Sequence, residues 1–169
     1  MRLLVVCFFI TNLVFSQKDV FSIARNGSVN EIKILFEKNP NCVNEVDKNG
    51  FSPLILASYR GNFEVAKYLT TIVKDVNYQS PEGTAVMAAV MRNNTELIQL
   101  LIDKKANLDA TSRTGVTALM LAIQFKNIEV IKLLLQHNAD KLLKDKEGRT
   151  AFEYAVNTKN DAIIQLLKN

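Results

Sequence analysis

Alanine recurs in this chain at Ala57, Ala89, Ala122 and Ala155, at intervals of 32, 33 and 33 residues. Three other columns keep the same beat. A hydroxyl returns at Ser52, Thr84, Thr117 and Thr150, an asparagine at Asn62, Asn94, Asn127 and Asn160, and a glycine at Gly50, Gly83, Gly115 and Gly148. Four columns of unrelated chemistry sharing one period mark an internal repeat. Such a chain folds as stacked supersecondary units, each burying its apolar face only against its neighbours.

Each column has a mechanical reason. The glycines sit where a turn needs a positive φ or a close backbone approach. The following Ser or Thr caps a first helix, and Pro53 after Ser52 stands at the helical position where a missing N–H costs nothing. The alanines let two helices approach closely. The asparagines are placed to cap a second helix, with Glu64, Glu96 and Glu129 beside its positive end. Apolar residues then follow at helical spacing, as in Val65, Ala66 and Leu69 or Val130, Ile131 and Leu134.

The segment Asp47 to Leu54, with Gly61-Asn62-Phe63-Glu64-Val65, resembles the opening and middle of an ankyrin repeat, and Thr111 to Leu135 and Asp145 to Leu167 match nearly as well. Residues 17–46 read as a divergent first unit. The resemblance implies an all-α solenoid of helix-turn-helix units with short β-hairpin fingers, in five units: 17–46, 47–79, 80–111, 112–144 and 145–169. Two departures stand out. The family's histidine after Thr-Pro-Leu is replaced by Ile55, Met87, Met120 and Glu153, which puts an inter-repeat hydrogen-bond network in doubt. The third unit also lacks one residue in its turn, so its finger is expected to be distorted.

Ahead of the repeats, Met1-Arg2 and an apolar run from Leu3 to Phe15 precede Ser16. This is the layout of a signal peptide, residues 1–16, cleaved after Ser16. A membrane anchor is the alternative, but the run falls short of the roughly 20 residues that span a bilayer. Cleavage leaves Cys42 as the only cysteine, without an internal disulfide, and it reads as a small apolar filler. The expected location is the periplasm or the extracellular medium.

Catalytic constellations are missing: there is no HExxH, GxSxG, Walker loop, CxxC or EF-hand spacing. The single histidine, His137, falls where a second helix ends and reads as a donor or positive charge at that terminus. No enzyme activity, cofactor or metal is expected. The net charge of +4 is spread along the chain without a dense Lys/Arg stripe, which weighs against nucleic-acid binding.

The resemblance implies binding through the fingers and the exposed side of each first helix, which line a concave face. Carried onto this sequence, those positions include Arg25 in the first unit and Lys48, Phe51, Tyr59 and Arg60 in the second. Met91 and Arg92 follow in the third, Arg113, Val116, Gln124 and Phe125 in the fourth, and Arg149 in the last. Every arginine after residue 16 falls on this face, whereas the 15 lysines are not so restricted. Arg, Tyr, Phe and Met are enriched at interface cores. The expected function is an exported, monomeric, non-enzymatic module that grips a protein partner with an acidic surface. An immunity protein neutralising a toxin and a chaperone-like guard of a periplasmic enzyme remain alternatives, with a nucleic-acid-binding protein behind them.

Overall fold

A computed structural model describes residues 19–168, so the expected signal peptide lies outside the described residues. Among these described residues ten α-helices follow one another in pairs, one pair inside each expected unit. They are α1 (Val20–Asn26) and α2 (Val29–Lys38), α3 (Pro53–Arg60) and α4 (Phe63–Ile72), and α5 (Ala85–Met91) and α6 (Thr95–Asp103). The last four are α7 (Ala118–Gln124) and α8 (Ile128–Gln136), then α9 (Ala151–Thr158) and α10 (Asp161–Lys168). First helices pack in one row, α1 on α3 on α5 on α7 on α9, and second helices α2, α4, α6 and α8 form a row behind them. None of these helices is long and apolar enough to cross a membrane.

The alanine column is the hinge of this packing. Ala57, Ala89, Ala122 and Ala155 are fully buried, and Ala24 extends the column into the first unit. The hydroxyl column caps as its position requires: Ser52, Thr84 and Thr117 accept from the N–H groups of Ile55, Met87 and Met120. At Thr150 a capping box forms, with the Glu153 carboxylate accepting from the Thr150 N–H at 2.7 Å. Asn94, Asn127 and Asn160 likewise cap α6, α8 and α10.

Asn62 does not cap α4. Its amide donates instead to the carbonyls of Ile23, Ala24 and Gly27, at 3.3, 3.3 and 2.9 Å. These carbonyls lie at the end of α1, where that of Ile23 also accepts the Gly27 N–H, and the Asn62 amide joins the first unit to the second.

The fingers are tight turns rather than extended hairpins; among the described residues the one bridge of strand type joins Ser80 and Gly83. Side chains take the N–H groups that longer ladders would use. Asp47 Oδ1 accepts from Asn49 and Phe51, Asp145 Oδ1 from Glu147 and Arg149, and Ser112 Oγ from Thr114 and Val116. The third finger is one residue shorter, as its sequence implies, and closes from Ser80 to Gly83 with 3.0 Å bonds in both directions. Neighbouring fingers touch through backbone bonds from Arg113 to Pro81 and from Lys146 to Thr114, at 2.8 and 3.0 Å. Gly115 is required at this contact. Its φ is +81°, and a Cβ would stand 2.9 Å from both Asp145 Cα and Lys146 N.

Units are also tied without the missing histidine. Asn44, Asn77 and Asp109 each accept from a backbone N–H one unit further on, at Lys74, Asn107 and Asp140, with distances of 2.6 to 2.8 Å. Lys67 adds an ion pair to Glu96 of the next unit at 2.8 Å. Cys42 is buried, and desolvation raises its thiol pKa, so it sits as an unreactive filler. His137 closes α8 through its backbone N–H, which bonds the Leu133 and Leu134 carbonyls.

At the far end, the last unit keeps interior-type residues on its outer side. Phe152 and Val156 occupy the columns of Leu119 and Ile123, which are 0% exposed, yet they are 39% and 47% exposed themselves.

Candidate functional site: a groove across the second to fourth units

A groove of about 560 Å³ runs over the fingers and first helices of three consecutive units. Five residues of the expected binding face line it: Phe51, Tyr59, Met91, Val116 and Gln124. Their placement follows from the repeat. Phe51 and Val116 end the fingers just before a cap residue, and Tyr59, Met91 and Gln124 share one position near the ends of α3, α5 and α7.

Buried Ile55, Met87 and Ala88 form the floor. Sequence reasoning registered Ile55 and Met87 only as replacements for the family's histidine. Their apolar character at a column that otherwise carries a polar ring was the available signal for the groove. Leu121 of α7 and Glu82 of the third finger also line it.

The arginines divide into two groups. Arg25 and Arg149 are half-buried and tied to carboxylates of the protein itself. Arg25 pairs with Asp47 across the first two units at 2.8 Å, and Arg149 pairs with Asp145 of its own finger at 2.7 Å. Both carboxylates are nearly enclosed, which requires a countercharge. At Asp145 burial pushes the pKa up, but four groups outweigh it. The Arg149 N–H and guanidinium, the Tyr154 hydroxyl and the Glu147 N–H together hold it at about 2. The Arg149 guanidinium also lies 4.9 Å from the centre of the Tyr154 ring. Spacing alone left Arg25 and Arg149 indistinguishable from the rest, because their partners are set by finger geometry.

Arg60, Arg92 and Arg113 are exposed and adjoin residues that line the groove. Arg60 has no ion pair among the described residues. Arg92 donates from Nε to the Tyr59 carbonyl and lies over the Tyr59 ring at 5.4 Å. Arg113 reaches Glu82 at 4.0 Å, with both side chains largely in solvent. Such a pair contributes little to stability and leaves the guanidinium accessible. Lys48 and Phe125 are exposed but do not line the groove. Among the described residues, no group of three His, Cys, Asp or Glu side chains could hold a metal ion.

Comparison with known proteins agrees with this architecture. A family model described as ankyrin repeats (3 copies) matches residues 86–169, and one described as ankyrin repeats (many copies) matches residues 20–70. The chain belongs to the ankyrin repeat family. This ankyrin repeat chain is 31% identical over 101 residues to ankyrin repeat and SAM domain-containing protein 6 of Rattus norvegicus, and 30% identical to that of Mus musculus. The matched stretch is 59% of this chain but 11% of either curated relative. Ankyrin repeats form protein–protein interaction modules that are in general non-enzymatic.

Proposed function

We propose that this ankyrin repeat chain is exported and binds one protein partner through its concave face, where an acidic patch of that partner meets Arg60, Arg92 and Arg113. The observation that carries the reading is the groove itself: apolar within, continuous over three units, and edged by exposed arginines. A curved surface of this kind suits a protein, because contact spreads over several units while a few aromatic and guanidinium groups supply most of the binding energy. Export rests on the pattern of residues 1–16.

A photo-crosslinking residue placed at Tyr59 or Phe125, on the groove side, or at Lys132, on α8 behind it, tests the site in extracts of the source organism. Capture of one acidic-surfaced protein from Tyr59 and Phe125 but not from Lys132 supports the reading. Capture from Lys132 alone overturns it. In a secreting host the purified protein should begin at Gln17; an intact residue 1–16 segment on membrane-bound material would contradict export.

A further inference from the structure

At the third unit the groove is lined by smaller groups than in the units on either side. In the finger column Phe51 and Val116 flank Gly83, and in the first-helix column Leu56 and Leu121 flank Ala88. The third finger lacks one residue and passes from Gly83 straight to Thr84, and the Met87 thioether occupies the place that a Cβ on Gly83 would take. The result is an apolar recess bounded by Phe51 and Tyr59 on one side and Val116 and Leu121 on the other.

The hydroxyls of the third and fourth fingers are already committed. Ser80 Oγ donates to the Gly83 carbonyl at 2.8 Å, Thr84 Oγ1 caps α5, and Ser112 Oγ accepts from its own turn. An occupant therefore gains by desolvating carbon surface rather than by hydrogen bonding inside the recess. Met87 and Met91 supply flexible thioethers that adapt to the shape of what enters. Around the rim the charge has one dominant sign: Arg60, Arg92 and Arg113 stand against Glu82.

Resting on the concave-face reading above, we propose that the recess over the third unit is an anchor site. It takes a single Leu, Met or Phe side chain from a protein segment whose flanking residues are Asp or Glu. The apolar residue packs over Ala88 and against the Met87 thioether, and the flanking carboxylates meet the rim arginines.

The test uses a random peptide library displayed on phage and selected against the purified protein, with binding of the enriched peptides followed by NMR of its methionine methyls. Met87 and Met91 report on the recess, and buried Met120 of α7 is the internal control. The enriched peptides should carry Leu, Met or Phe next to at least two acidic residues, and should shift the Met87 and Met91 methyls but not Met120. Replacing the apolar residue of the peptide with Ala should weaken binding at least tenfold. Ala88→Leu should do the same, since Leu already occupies this column in both flanking units. Insertion of Phe between Gly83 and Thr84, which restores the finger length, is a second way to fill the recess should Ala88→Leu fail to fold. Acidic peptides that depend on Arg60 and Arg113 but leave both methyls unmoved would overturn the anchor site while leaving the concave-face reading intact. Peptides without acidic residues, indifferent to the arginines, would overturn both.

Discussion

Leu119 and Phe152 occupy the same column of neighbouring units, and truncating each to Ala should have very different costs. Leu119 is fully enclosed between the fourth unit and its neighbours. Leu119→Ala therefore loses both the transfer free energy of the removed atoms and the contacts around the void, about 3 kcal/mol in total. Phe152 is larger, but 39% of it is already in water, and among the described residues nothing packs over its outer side. Water enters the gap left by Phe152→Ala, so the cavity contribution vanishes and about 1.5 kcal/mol remains from partial burial. With a urea m-value of roughly 2 kcal/mol per molar, these become midpoint shifts of about 1.5 M and about 0.75 M. Equilibrium urea unfolding followed by circular dichroism measures both. A shift for Phe152→Ala as large as that for Leu119→Ala would refute the reasoning, because it would mean the outer face of the last unit is covered in solution.

Three further perturbations follow from the fingers and helix ends. Gly115→Ala should cost at least about 2 kcal/mol in thermal or urea unfolding, from positive φ plus a clash with the next finger. Gly148→Ala, with a similar φ but open space around it, should cost about 1 kcal/mol. Lys126 has a φ of +56° at the end of α7, where the second unit uses Gly61, so Lys126→Gly should raise stability by about 0.5 to 1 kcal/mol. Asp145 has a carboxyl held at about 2 against an ordinary 3.8, so between these values the unfolded chain binds more protons than the native one. Its stabilising contribution is complete above about pH 4 and declines as pH falls toward 2. The penalty of Asp145→Asn, measured by urea midpoints across pH, should therefore be largest near neutrality and shrink steadily on acidification; a penalty constant down to pH 2 would contradict this assignment.

The repeat, the helix pairs and the caps were legible in the sequence because each depends on local spacing. Ala57, Ser52 and Asn94 do what their columns imply, since a cap or a close helix contact is decided within a few residues. Asn62 was not legible in this way. Its amide donates to carbonyls at the end of the first helix of the divergent first unit, partners more than thirty residues away. Arg25 and Arg149 share the concave column positions of the other arginines, and only the three-dimensional approach of Asp47 and Asp145 separates them. Lys67 stands on a second helix yet bridges to Glu96 of the next unit, which makes it a structural residue rather than a neutral surface charge. Tyr59, Met91 and Gln124 were recognisable as groove residues from the period. The recess turns on the small side chain of Ala88 between the columns of Leu56 and Leu121, which means nothing until neighbouring units are placed side by side in space.

Binding of the captured partner to four alanine variants tests the central claim most directly. Arg60 and Arg113 adjoin the groove, while exposed Lys104 and Lys132 lie at the end of and along the second-helix row and provide the same loss of charge elsewhere. Measured by calorimetry at fixed salt, Arg60→Ala and Arg113→Ala should each weaken binding by about 1 kcal/mol or more. Unfolding midpoints should stay nearly unchanged, because exposed positions shift stability by no more than about 0.5 kcal/mol. Lys104→Ala and Lys132→Ala should leave affinity within about 0.3 kcal/mol of the parent, as charges remote from a contact do. Equal losses for the arginine and lysine variants would mean that the attraction is diffuse charge, and that the groove is not where the partner binds.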